Sequence, residues 1–256
     1  MKTNFHTHNY RCGHAVGNVE DYVRVAIKEG YSELGISDHA PVPDYYEDRM
    51  KMSELDGYLT EIEETQEKYK DKIKIYKSLE IEYFPEWQVY YNELKRKLDY
   101  IVLGLHAFRT NENDKIYSAW TINNDSHVLD YARYMVKAIE SRNFDYIAHP
   151  DLYMVKYRKW TDSCIEAAHM ICRAAEKCNV PLEVNANGIR KTLARHPEWN
   201  RYMYPYKEFW EIVAKYNIRT IIGSDTHNFE EMEDLPMEMA RIFAKELGLN
   251  IIESIF

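Results

Sequence analysis

Histidine and carboxylate recur along this chain at spacings that suit metal ions. In His6-Thr7-His8 the two imidazoles share one side of an extended strand, because alternate residues point the same way, so both can grip one ion. Asp225-Thr226-His227 repeats that spacing near the other end of the chain. Between them lie His14, His39, Glu80, His106 and His149. Imidazole nitrogen combined with carboxylate oxygen suits zinc, iron or manganese, whereas shells of oxygen alone suit magnesium or calcium. The set exceeds the needs of one tetrahedral ion. Two to three divalent ions, with Glu80 as a bridging carboxylate, use it economically. With its carboxylates and a hydroxide counted, a three-ion cluster keeps roughly +3 of charge, which draws a phosphate dianion into an acidic protein. Water held by such ions is also a nucleophile near neutral pH.

These residues form a site only if the fold gathers them. Short apolar runs predict strands at 3–6, 34–37, 73–83, 100–103, 146–148, 182–184 and 220–222. Amphipathic stretches between them predict helices near 18–29, 53–69, 86–97, 125–141, 162–178, 205–216 and 236–247, with Ser53 and Thr161 as N-caps. The tail 249–252 is a candidate for a short extra strand. Seven β→α alternations without a linker or repeat imply a parallel sheet with crossover helices. Strand ends, read in order, carry His6 and His8, His39, Glu80, His106, His149, Asn185, then Asp225 and His227, with His14 just after the first. Seven of the ten histidines fall at these ends, while His127, His169 and His196 fall in helices or a long loop. A closed barrel converges its strand ends on one mouth, where barrel enzymes keep their chemistry; an open sheet spreads them along an edge. The expected fold is therefore α/β, a seven-stranded TIM-like barrel over residues 1–256 as a single domain.

Composition sets limits on this reading. The net charge of −9 argues against a surface that tracks nucleic-acid phosphates, although one site can invert the global sign. No apolar run reaches the length of a membrane span, and the first residues lack the apolar core of a secretory signal. The four cysteines, at 12, 164, 172 and 178, form no CxxC pair, and a reducing cytoplasm is the natural setting. The expected partner is a small phosphate ester, with neither nucleic acid nor membrane. Nothing in the sequence sets the oligomeric state.

Several of these segments resemble the polymerase-and-histidinol-phosphatase (PHP) superfamily. His6-Thr7-His8, Cys12-Gly13-His14 and Ile36-Ser37-Asp38-His39-Ala40-Pro41 are similar to its opening motifs. Leu79-Glu80-Ile81-Glu82-Tyr83, Gly104-Leu105-His106, Ile147-Ala148-His149-Pro150 and Gly223-Ser224-Asp225-Thr226-His227 follow in family order. Glu183-Val184-Asn185-Ala186-Asn187-Gly188-Ile189-Arg190-Lys191 resembles a segment of the histidinol-phosphatase branch, although Gly-Leu-His stands where Gly-Ser-His is usual. The resemblance implies a distorted seven-stranded barrel with a trinuclear site. One ion would take His6, His8, Glu80 and Asp225, a second His14, His39 and His227, and a third Glu80, His106 and His149. It implies hydrolysis of L-histidinol phosphate to L-histidinol and phosphate, by a metal-bridging hydroxide attacking phosphorus. Glu80, Asp225 and His227 are then the expected catalytic residues.

Two arginines suit the substrate's phosphate, since a guanidinium fork matches its oxygens. Arg190 follows the sixth strand and Arg158 follows His149-Pro150. Glu82 competes with Glu80 for the bridging role. Asp38 suits either a ligand-orienting partner or a turn cap, and Cys12 either a place beside the ligands or plain packing. The tyrosine runs Asp44-Tyr45-Tyr46 and Tyr202-Met203-Tyr204-Pro205-Tyr206 fall in loops after strands and are assigned no individual role. Other readings are a different phosphoesterase on the same scaffold, acting on phosphotyrosine or oligonucleotides, and a non-catalytic metal-binding protein.

Overall fold

The computed structural model describes residues 2–43, 48–110 and 115–256, so the stretch Asp44-Tyr45-Tyr46 lies outside the described residues. The chain opens with β1 (Thr3–Asn4), α1 (Val19–Lys28), β2 (Glu33–Ile36) and α2 (Leu55–Tyr69). It continues through β3 (Lys74–Ile81), α3 (Gln88–Lys97) and β4 (Tyr100–Leu103). A hairpin of β5 (Ala107–Arg109) and β6 (Ile116–Ser118) precedes α4 (Asp125–Glu140), β7 (Tyr146–Ile147) and α5 (Asp162–Cys178). Then follow β8 (Leu182–Asn185), α6 (Ala186–Arg195), α7 (Lys207–Val213), β9 (Arg219–Gly223), α8 (Leu235–Glu246) and β10 (Asn250–Ile251).

The main sheet is parallel, in the order β1-β2-β3-β4-β7-β8-β9-β10. It has eight strands where seven were expected, because the tail pairs with β9 as β10. The sheet curls until its two ends meet: Asp225 N–H donates to His6 O at 2.9 Å and His8 N–H donates to Thr226 O at 3.0 Å. Those two bonds bring the His6/His8 and Asp225/His227 pairs side by side.

Strand alternation explains what lies inside. Along β4, Tyr100 and Val102 join an inner cluster with Phe5, Tyr76, Tyr146, Ala148 and Ile221, while Ile101 and Leu103 face the helices. The Tyr100 and Tyr146 hydroxyls both donate to Phe5 O, at 2.6 and 2.9 Å, so these two buried hydroxyls are satisfied. Phe256 stacks on Tyr76 at 4.3 Å between ring centroids and covers the end opposite the histidines.

The helices bury stripes against the outer face. Val19, Tyr22, Val23 and Ala26 of α1 recur at helical spacing, and Asn18 starts that helix with a capping box to Asp21. Ser53 does not cap α2: it lies inside a 3-10 turn, Met52–Glu54, that leads into the helix. Thr161 occupies the N-cap of α5, but its hydroxyl donates to Asp125 instead of capping. No described helix is long and apolar enough to cross a membrane.

Candidate metal centre

Glu80, the seventh residue of β3, points inward and lies at the middle of the histidines. Its Oε2 is 3.6 Å from His6 Nε2, 3.6 Å from His8 Nε2 and 3.0 Å from His39 Nδ1. Its Oε1 is 3.0 Å from His149 Nε2 and 3.6 Å from His106 Nε2. Gly104 permits this placement, because a Cβ there would sit 2.1 Å from Glu80 Oε1. Asp225 supplies a second carboxylate, with Oδ1 at 3.0 Å from His8 Nε2 and 3.6 Å from His6 Nε2. His227 stacks on His8 at 4.2 Å between centroids and lies 4.6 Å from His14.

A further layer of acids fixes the rings. His6 Nδ1 is 2.7 Å from Glu183 Oε1, His8 Nδ1 is 3.3 Å from Asp38 Oδ1, and His106 Nδ1 is 2.9 Å from Glu82 Oε1. An ionised carboxylate only accepts, so each Nδ1 carries a proton, and each Nε2 is turned to the centre, where it offers its lone pair once deprotonated. Asp38 also accepts from the His39 backbone N–H at 2.8 Å, so it both orients a ring and holds the turn. Glu82 pairs with Arg49 and His106 rather than standing at the middle, which leaves that place to Glu80. Gly223 makes room for Glu183, since a Cβ there would meet Glu183 Oε1 at 1.8 Å. His149 (φ 31°) and Asp225 (φ 47°) adopt left-handed backbone, as Arg142 and Asn179 do away from the cluster.

The donor set fits metal ions. His6 Nε2, His8 Nε2 and His39 Nδ1 are buried without an aligned hydrogen bond, although carboxylate oxygens lie close by. Buried polar atoms are normally satisfied, and lone pairs converging on a common point are what a cation satisfies. Among the described residues, four groups bring donor atoms within 4.8 Å of one another: His6/His8/Asp225, His8/His39/His227, Cys12/His14/His227 and His39/Glu80/His106. Only the first lies within one expected ion's set; the last joins His39 of the second ion to Glu80 and His106 of the third. The middle two divide the histidines differently, placing His8 with His39 and Cys12 with His14.

Charge is shared unevenly in the metal-free chain. Burial opposes charge on His8, but the close approach of Asp225 and Asp38, with Glu80 nearby, outweighs it and raises its pKa to about 9. Burial is likewise overcome at His6, by Glu183, Asp225 and Glu80. At His39 and His227 burial prevails, reinforced by charge on His8, and both pKa values fall well below the usual range. Burial would raise Glu80 and Asp225, yet the surrounding imidazoles hold both well below ordinary carboxylates.

The cluster opens to a cavity of about 340 Å³. Its walls carry Asp48, Trp120 and Tyr204, with Arg49, Lys191 and Arg195 as cations. The two expected arginines are not among its lining residues. Arg190 grips Asp234 with Nε at 2.7 Å and Nη2 at 3.0 Å, and also donates to the Ser224 and Glu231 carbonyls. Arg158 stacks on Trp199 at 4.1 Å, beside a different groove. Glu183 and Lys191 were quoted in the sequence only as parts of a motif. The signal that separates Lys191 from Arg190 is helical: Asn187, Lys191 and Arg195 recur every four residues along α6 and share its cavity-facing side. The remaining histidines lie elsewhere, with His127 on α4, His169 on α5 bonded to Tyr216, and His196 stacked on Trp199.

Comparison with known proteins agrees with this architecture. A "Probable histidinol-phosphatase" of Deinococcus radiodurans is 26% identical over 238 residues, covering 87% of this chain and 85% of that protein. The hisK structure of Listeria monocytogenes superposes with a TM-score of 0.77 at 20% identity, over 91% of this chain and 98% of that one. Histidinol phosphate phosphatase of Lactococcus lactis, crystallised with zinc, L-histidinol and phosphate, gives 0.73 at 19% identity over 98% and 95%. The PHP domain profile matches residues 4–187, a stretch that takes in every candidate ligand except Asp225 and His227. With its histidines at the strand ends and its parallel sheet curled to bring first and last together, the chain belongs to the PHP domain family.

Proposed function

We propose that this chain is a metal-dependent phosphomonoesterase that hydrolyses L-histidinol phosphate to L-histidinol and phosphate, and that residues 1–256 act as one PHP-type barrel domain. The observation that carries the reading is Glu80, whose two oxygens face five imidazoles at 3.0–3.6 Å in one buried cluster. His6, His8, His14, His39, Glu80, His106, His149, Asp225 and His227 would hold two to three divalent ions of zinc, iron or manganese. Such ions supply positive charge for phosphate oxygens and lower the pKa of water. The relatives named for this activity, one of them crystallised with zinc, L-histidinol and phosphate, support the same choice.

The protein's own residues do the rest. Glu183, Asp38 and Glu82 hold the imidazoles in the ligating tautomer, and Asn185 and Asn187 donate to Asp225 Oδ2 at 3.1 and 3.2 Å, fixing its carboxylate. Asp48 and Tyr204 on the cavity wall suit the cationic amine and imidazole of the alcohol portion. The chain's setting is the cytoplasm, consistent with four unpaired cysteines, three of them buried.

The test combines elemental analysis with kcat/KM on histidinol phosphate, phosphotyrosine, sugar phosphates and a short oligonucleotide. A preference of at least about tenfold for histidinol phosphate, roughly 1.4 kcal/mol, supports the assignment. Faster turnover of phosphotyrosine or the oligonucleotide transfers it to another phosphoester, and bound metal with no turnover on any ester defeats it.

A further inference from the structure

The cations of the cavity differ in what holds them. Arg49 is ion-paired with Glu82, and Arg195 is exposed at the end of α6. Lys191 is half-buried and, among the described residues, makes no hydrogen bond and no ion pair within 4 Å, feeling Asp225 and Glu80 only at longer range. Its ammonium rests instead over the Trp120 ring, 4.9 Å from the centroid. That contact returns less than the solvation an ammonium loses on leaving water. The position is therefore an unmet demand for an anion, set into the wall of the cavity that holds Glu80 and Asp225.

Two neighbours aim it. Asn187, one helical turn earlier on the same stripe, is tied to Asp225, so the register of α6 against the cluster is set. Trp120 is held on the other side: Ala119 N–H donates to His106 O at 2.7 Å, and the indole lies parallel to the His106 ring and edge-on to Tyr204.

We infer that Lys191 binds a non-bridging oxygen of the substrate's phosphoryl group, and of the released phosphate, with Trp120 as the platform that positions it. The inference rests on the phosphomonoesterase reading. An ammonium suits this place because it is a compact charge with three donors, able to meet one oxygen of a tetrahedral group while leaving the others to the metal cluster. Burial lowers the pKa of this ammonium while Asp225 and Glu80 pull it up, and no bond to the nitrogen forms or breaks.

The test uses inorganic phosphate as the probe, titrated calorimetrically into metal-loaded wild type, Lys191→Met, Lys191→Gln, Lys191→Arg and Trp120→Leu. Steady-state kinetics on p-nitrophenyl phosphate and metal analysis run beside it. Lys191→Met should weaken phosphate binding roughly 10–100-fold, the loss of one charged hydrogen bond, with KM rising in step and metal content unchanged. Lys191→Arg should recover part of the affinity, and Trp120→Leu should lose severalfold while the lysine remains. If Lys191→Met does not fold, Lys191→Gln and Trp120→Leu still report: phosphate affinity within about twofold of wild type in both overturns the assignment. Phosphate affinity of Lys191→Met within about twofold of wild type overturns it as well. Loss of phosphate binding in Lys191→Met, in a wild type that hydrolyses no ester, upholds Lys191 and defeats only the phosphatase reading.

Discussion

His6 and Glu183 stand 177 positions apart in the chain, and their side chains meet at 2.7 Å with both buried. The contact settles which nitrogen of His6 faces Glu80 and Asp225, and Glu183 Oε2 also accepts from the His149 backbone N–H at 3.3 Å. Removing the negative charge while keeping the shape isolates this role. Glu183→Gln should lower metal affinity about 10–100-fold with the fold intact, as read by competition with a chelator and by circular dichroism. Affinity unchanged from wild type would remove Glu183 from the site.

The packing of Gly104 against Glu80 offers a sharper test of the bridging carboxylate. A methyl group at 104 would meet Glu80 Oε1 at 2.1 Å, so the carboxylate must move. Gly104→Ala should reduce metal content below one ion per chain and abolish most turnover, while Gly57→Ala, where an added Cβ meets nothing within 4 Å, should leave both unchanged.

Ligand histidines should separate from the others. His227→Ala removes a donor from a cluster in which it neighbours His8 and His14, and should cost metal and most of kcat. His169→Ala loses only a hydrogen bond to Tyr216 at the surface of α5, about 1 kcal/mol, and should keep wild-type kinetics. Inactivation of a folded His169→Ala protein beside an active His227→Ala protein would falsify the placement.

Arg190 should behave as a structural tie. Its guanidinium joins α6 to the start of α8 and to Ser224, the residue before Asp225. Arg190→Ala leaves the half-buried Asp234 without its partner, and should cost about 1–3 kcal/mol, lowering Tm by several degrees. The affinity for inorganic phosphate should change little. A phosphate affinity that collapses at unchanged Tm would return Arg190 to the role its position in the sequence suggested.

Glu233 predicts an acid dependence of stability. Burial would raise its pKa, but hydrogen bonds from Arg241 and Tyr31, with the charge of Arg241, pull it down to about 2. A pKa depressed on folding stabilises the protein above the unfolded value near 4.5 and loses that effect as pH falls toward 2. After allowance for solvent screening, Glu233→Gln should cost about 1–2 kcal/mol at pH 7. The gap between wild type and variant in urea denaturation should shrink by more than half at about pH 3. A gap of equal size at both pH values would contradict this account.

The candidate ligands could be picked out of the sequence because their signals are local. A His-x-His pair on a strand shares a face whatever the rest of the chain does, and β4 lies at the expected 100–103 for the same reason. What the sequence hid lay either in a junction or across the barrel. Strand β8 passes into α6 with no loop, Asn185 ending the one and capping the other, so the helix went unforeseen and the sides taken by Arg190 and Lys191 with it. The β5–β6 hairpin that carries the chain toward Trp120 was missed too, its strands being only three residues each. Spacing of a few residues determines which side chains share a face, and that much the sequence decided alone. The acids that orient His6, His8 and His106, and the cation of α6 left without an ion pair, depend on how distant strands curl together, so only the tertiary structure decided them.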